Sequence, residues 1–171
     1  MLVINMKKIS IAGFLLLVLA VPSLYARNSY GLFHIERNKN ANIVQYDANV
    51  NNEVIDKENP IDAYWVLHAS SGQRSELSSF DRRAFGFTVK YDEDGYFDLA
   101  LNAVPDRRIK ILMINGEPKA KISINGEESF FTKVYVSARS NFVGIPRVSF
   151  YTIYGTDINT GDEVSERIDV R

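Results

Sequence analysis

With 171 residues, 20 basic and 21 acidic side chains and a net charge of −1, the chain lacks the basic surplus that phosphate neutralisation demands, which excludes a nucleic-acid binder. It contains no cysteine, so disulfides, thiolate metal sites and thiol catalysis are excluded as well. Its 46% hydrophobic and 24% charged residues are an ordinary globular mix, enough for one domain with a real core.

Residues 1–26 have the pattern of a secretory signal peptide. Met6-Lys7-Lys8 opens a charged segment, and residues 9–21 are apolar apart from Ser10 and Gly13. Leu24 and Ala26 then stand three and one residues before a cut that leaves Arg27 first. The apolar run falls short of the roughly 20 residues of a spanning helix. Residues 27–171 are therefore expected to form a single exported domain, periplasmic or extracellular. It would meet the membrane only through the signal peptide during export. With no cysteine at the cut, a thiol-linked lipid anchor is not expected.

Residues 32–37 and 43–50 alternate apolar and polar, the period of a strand, on either side of the polar run Asn38-Lys39-Asn40-Ala41-Asn42. Pairing Ile35 with Val44 places Phe33 opposite Tyr46. It gathers Phe33, Ile35, Val44, Tyr46 and Ala48 on one face and His34, Glu36, Gln45 and Asp47 on the other. A slip of one residue scrambles both faces, so this register is the expected one. Residues 51–60 read as a polar loop. Residues 61–68 read as a strand with Ala63, Trp65 and Leu67 on one side, and residues 69–73 break it.

Residues 78–84 are expected to form the one helix, capped by Ser78 or Ser79, with Asp81 in its first turn, Phe80 and Ala84 facing the sheet, and Gly86 ending it. Strands follow at 87–92 and 96–102. Asn115-Gly116 and Asn125-Gly126 each stand between alternating runs, the strongest short hairpin signal, because both turn residues need positive φ. They join strands at 108–114, 120–124 and 129–139 into a meander. Residues 141–146 read as a loop, 147–157 as a long strand, and 163–170 as a last, charged strand suited to an edge. About nine or ten short strands, one helix and no βαβ alternation predict an all-β antiparallel fold, a sandwich or a barrel.

Four ordered segments carry a family likeness: residues 32–37, 42–49, 59–66 and 81–87. Together they resemble a bacterial family called domain of unknown function 4833, over most of the chain after the signal peptide. The resemblance implies a secreted or periplasmic single-domain protein, often of bacteria of the Bacteroides type. It implies no activity and carries over no functional residues.

Side chains that suggest chemistry are few. His34, Glu36 and Asp47 share the polar hairpin face, where a histidine oriented by a carboxylate is the pattern of a general base. Tyr64 is the best placed aromatic for a ligand, since Tyr46 and Trp65 alternate inward. Arg82, beside Arg83, suits a carboxylate or phosphate. His34, Glu36, Asp47, Tyr64 and Arg82 are thus the candidate ligand-binding residues.

Two histidines without metal-motif spacing make no metal site, and the acidic loops at 92–95 and 157–162 lack the calcium-loop spacing. There is no phosphate loop, no G-x-S-x-G and no H-E-x-x-H. The expectation is a non-catalytic module, without cofactor, binding a small molecule, glycan or envelope protein. One alternative is a small periplasmic hydrolase or isomerase using His34 with Glu36 or Asp47. Another is a structural or adhesion module.

Overall fold

Strands form wherever apolar residues recur at every second position, and this pattern builds most of the molecule. The computed structural model describes residues 28–140 and 146–170. The expected signal peptide and residues 141–145 of the expected loop lie outside the described residues. In chain order the strands are β1 (Asn28–Arg37), β2 (Asn40–Asn51), β3 (Val54–Ile55), β4 (Ile61–Leu67), β5 (Gln73–Glu76), β6 (Phe87–Tyr91), β7 (Phe97–Leu101), β8 (Arg108–Ile114), β9 (Glu117–Ile124), β10 (Glu127–Ser140), β11 (Pro146–Asp157) and β12 (Glu163–Asp169). Among the described residues one α-helix, α1 (Asp81–Phe85), lies between β5 and β6, and a single 3-10 turn spans His68–Ser70.

The first hairpin has the register that alternation demands. Ile35 stands opposite Val44 and Phe33 opposite Tyr46, and Phe33, Ile35, Val44, Tyr46 and Ala48 are all buried. The turn is tighter than the polar run suggests, because β2 already begins at Asn40. Asn38, in the turn, ties it to β10. Its Oδ1 accepts the Ala138 N–H and its Nδ2 donates to the Ala138 carbonyl, both at 3.0 Å. The Asn-Gly turns are as expected, with positive φ at Asn115, Gly116, Asn125 and Gly126.

The strands form one curled, mixed sheet, a half-barrel, in the order β5-β4-β2-β1-β10-β9-β8-β7-β6, with β11 and β12 continuing from β10. The purely antiparallel expectation is corrected at one place. β1 runs parallel to β10, with Ile35 beside Val134 and Arg37 beside Val136. Hairpin signals report only neighbours in sequence, and these two strands are far apart in the chain.

β10 is the axis of the curl. Its residues 127–130 pair with β9 and residues 133–136 pair with β1, while β11 follows its other edge. A register irregularity in the β10–β11 pairing falls between Phe131 and Lys133, where the partner changes. Such irregularities bend and twist a strand, and here the two wings of the sheet splay from that point. The core fills the space between them around Phe33, whose ring stacks on Tyr46 at 4.5 Å and tilts against Phe131 at 4.4 Å.

α1 lies between the ends of the strand order, since it links β5 to β6. Three bonds hold this crossing in place. Tyr46 donates its hydroxyl to the Phe85 carbonyl at 2.6 Å, Asn102 Nδ2 donates to the Arg82 carbonyl at 2.8 Å, and Asn102 N–H to the Gly86 carbonyl at 2.9 Å. The expected helix over 78–84 is therefore displaced toward 81–85. Phe80 is 77% exposed at the cavity border rather than packed on the sheet, and Phe85 packs against Trp65. Tertiary bonds to Phe85 and Gly86 set the helix phase, overriding the apolar spacing of Phe80 and Ala84.

Two further expectations change. The stretch 51–60 contains the short strand β3, because the buried Asn49 donates to the Asn59 carbonyl and its own carbonyl accepts the Asp56 N–H. β5 forms as a fully exposed edge where the sequence offers no apolar residue.

Candidate functional site

The splay of the two wings leaves an apolar cavity of about 480 Å³ on the concave side. β1 contributes Ile35, β10 contributes Phe131, Val134 and Val136, and Ile109, Ile122 and Ile153 come from β8, β9 and β11. Each sits at an inward position of its strand, so the cavity wall is the same alternation that makes the core. The α1 segment borders it with Phe80, Asp81 and Phe85, and polar groups enter as Arg37, Asn38, Lys39, Arg107, Tyr151 and Asp81. The volume falls within the range of small-molecule sites, which are mostly apolar with a few placed polar groups.

Arg37 is the unusual group here. Alternation carries it onto the same inward face as Phe33 and Ile35. Its guanidinium carbon lies 4.4 Å from the centre of the Trp65 ring and 5.5 Å from that of Phe85, a cation held against two aromatic faces. Burial lowers its pKa, and the nearby Asp81 charge works the other way. Its Nε–H is buried without a hydrogen-bond partner among the described residues. An unmet buried donor costs about 1–3 kcal/mol, so such a group calls for a physical reason.

Asp81 is differently placed. It accepts the Ser78 hydroxyl at 2.6 Å and the Ser78 N–H at 3.1 Å. The Ser78 bond foremost, together with the Trp65 indole and Arg37, holds its carboxyl below the usual range.

Arg107 also borders the cavity, but its charge is spent. It makes a two-pronged pair with Glu166, which in turn accepts the Asn125 N–H at 3.1 Å. The clasp ties β12 to the turn before β8 and to the β9–β10 hairpin. The Arg107 bond lowers the Glu166 pKa from 4.5 against the opposing effect of burial. A carboxylate whose folded pKa is depressed adds stability that is full above its unfolded value and is lost as pH falls through the folded one. Glu166→Gln should therefore cost about 1–3 kcal/mol at pH 7. In urea titrations its deficit should shrink below about pH 4, where the wild-type carboxylate takes up its proton. A deficit that stays constant down to pH 3 would show that the charge contributes nothing.

A family model for the domain of unknown function DUF4833 matches residues 33–167. The chain belongs to that family. No curated protein and no solved structure matched the chain. The match spans from β1 into β12, so the DUF4833 domain includes Arg37, Trp65, Asp81 and the apolar wall described above.

The structure separates the five site residues expected from sequence into three groups. His34 Nε2 lies 3.0 Å from Glu36 Oε1, and both Glu36 oxygens accept from Lys133 Nζ at 3.1 Å. Burial raises the Glu36 pKa, but the bonds from His34 and Lys133 outweigh it and bring it below the ordinary value. This trio clasps β1 to β10 on the face opposite Phe33 and Ile35. Asp47 is buried and accepts from the Tyr64 hydroxyl at 2.6 Å, Gln45 at 2.9 Å and Ser29 at 3.0 Å. Burial and the Asp47 bond push the Tyr64 phenol up to about 12, and Arg74 stacks on its ring at 3.9 Å. Arg82 stands apart, exposed, reaching Glu76 at 3.8 Å.

None of the five lines the apolar cavity. Glu36 borders a second, more open hollow of about 460 Å³ near the β1–β2 turn, with His68 and Tyr135. Sequence reasoning missed Arg37 because it ranked polar faces by histidine and carboxylate content. The available signal was a basic residue at the third inward position of an apolar series, after Phe33 and Ile35. Among the described residues, no three His, Asp or Glu side chains gather to hold a metal ion, and no helix is long and apolar enough to cross a membrane.

Proposed function

We propose that this DUF4833 domain is an exported, non-catalytic binding module that takes an apolar small molecule into the cavity between the two wings. One observation carries it: a concave space of about 480 Å³ walled by Ile35, Ile109, Ile122, Val134, Val136 and Ile153, bordered by α1 and open to few polar groups. Apolar surface gains by leaving water, and a preformed cavity spares the protein the cost of opening one. The leading segment with Met6-Lys7-Lys8 and the apolar run 9–21 supports export. Protein recovered outside the cytoplasm should then begin at Arg27 by mass spectrometry, and recovery with residues 1–26 attached would count against that part.

Binding is tested by titrating the purified domain with N-phenyl-1-naphthylamine, a neutral apolar fluorophore. Fluorescence should rise saturably, and Val136→Trp, which fills the space, should weaken the binding by about tenfold or more. Val148→Trp fills it from β11 and serves if the first variant folds poorly. Saturable binding that both tryptophan variants leave unchanged, with native circular dichroism, would place the probe elsewhere and end the proposal.

A further inference from the structure

The geometry points to a bound molecule that is an amphiphilic anion, an aliphatic chain ending in a carboxylate or phosphate, with Arg37 holding the anionic end. The inference rests on the proposed use of the cavity and names the class of ligand for it. Two independent features meet at one place. The wall is mostly apolar, with Ile35, Ile109, Ile122, Val134, Val136 and Ile153 in it, which suits a hydrocarbon chain. At its edge stands a guanidinium with a buried Nε–H that no described residue meets.

Charge around that point favours an anion. Of the cations lining the cavity, Arg107 is neutralised by Glu166, which leaves Arg37 and Lys39. Asp81 is the one acidic side chain in the lining, and its carboxylate already accepts from Ser78. Among described residues Arg37 has no carboxylate within ion-pair distance, unlike Arg74, Arg82, Arg107, Arg108 and Arg167, each of which has one. A guanidinium offers a planar fork of donors that matches a carboxylate or phosphate, and Trp65 and Phe85 fix its plane in advance. The buried Nε–H is closed to a water-sized atom, so it is the outer Nη groups of the fork that would bond an oxyanion, whose chain runs along Ile35, Val134 and Val136.

Displacement of N-phenyl-1-naphthylamine from the full domain tests this with matched chains: dodecanoate, dodecyl phosphate and dodecanol. Either anion should compete about tenfold better than the alcohol, and the stronger of the two tells carboxylate from phosphate. Arg37→Met keeps an apolar stem of similar length and should bring anion and alcohol to parity, without weakening the alcohol. Asp81→Asn keeps a group that bonds to Ser78 and removes the opposing charge, so it should tighten dodecanoate and leave dodecanol unchanged.

Failure of the fluorophore to bind would remove the cavity reading itself. Binding of the fluorophore with dodecanol equal to both anions would overturn the anion assignment alone. If Arg37→Met does not fold, the wild-type comparison and Asp81→Asn still decide. An unchanged dodecanoate affinity in Asp81→Asn would overturn it.

Discussion

Phe33→Ala should destabilise the domain by about 3–5 kcal/mol, the range for deleting a fully buried aromatic ring. Phe33 is 2% exposed and its ring is held between Tyr46 at 4.5 Å and Phe131 at 4.4 Å. Those partners come from β2 and β10, so one side chain joins the first hairpin to the strand that redirects the sheet. Its removal loses the transfer energy of the ring and leaves a void that three strands, tied by backbone bonds, cannot collapse. A typical domain has about 5–15 kcal/mol of stability in all, so the variant should melt far below the wild type. Phe33→Leu should cost clearly less, because most of the volume remains. Urea midpoints at unchanged m-value measure both. A loss under about 1 kcal/mol for the alanine variant would mean that the three rings are not the centre of the core.

Gly86→Ala should cost about 3 kcal/mol or more, at the upper end of overpacking penalties. The backbone angle is not the cause, since φ at Gly86 is −68°. Space is the cause. An added Cβ would meet the Arg82 carbonyl oxygen at 2.2 Å and Asn102 Nδ2 at 2.7 Å. The Arg82 carbonyl cannot retreat freely, because it accepts from both Gly86 N–H at 3.0 Å and Asn102 Nδ2 at 2.8 Å. Relief requires moving α1, which also carries Phe85 from its contacts with Trp65 and Arg37. The variant should therefore lose fluorophore affinity as well as stability. Gly72→Ala is the informative contrast: φ there is +78° but nothing lies within 4 Å of the new Cβ, so the cost should be about 1–2 kcal/mol, with binding intact. Equal effects of the two substitutions would show that the close approach at Gly86 relaxes without consequence.

Much of the fold is legible from local patterns because each reports a short-range force. The inward series Phe33, Ile35, Val44 and Tyr46 fixes the hairpin register, since any slip exposes four large apolar groups. Asn115-Gly116 and Asn125-Gly126 specify their turns through the left-handed angles that few other residues tolerate. The charged run in β12 marks it as an edge, and among the described strands it pairs with β11 alone. The short helix is found but out of phase. Its place is set by Tyr46 and Asn102 reaching across from distant strands, and nothing within residues 78–86 encodes those bonds.

The candidate site divides along the same line. Sequence singled out His34, Glu36, Asp47, Tyr64 and Arg82 by side-chain chemistry, and the structure spends most of those groups on one another or on neighbouring strands: Glu36 on Lys133, Asp47 on Tyr64. A polar residue's role depends on who meets it, which is a tertiary question. Arg37 is the converse: its buried Nε–H meets no partner among the described residues, which no pattern of side-chain chemistry in the sequence announces.

By itself the sequence determined the β class, the first hairpin's register and faces, the Asn-Gly meander, the charged edge and the family likeness. All of these rest on contacts between residues close in the chain or on a face of one strand. Only the tertiary structure decided the parallel joining of β1 to β10, the splay at Phe131 to Lys133, the seating of α1, and the cavity with Arg37 at its border. The physical reason is range. A strand's pattern states which face wants burial, but many partners satisfy an apolar face equally. Which distant strand supplies it, and what space remains between them, is settled only when the whole sheet curls into its half-barrel.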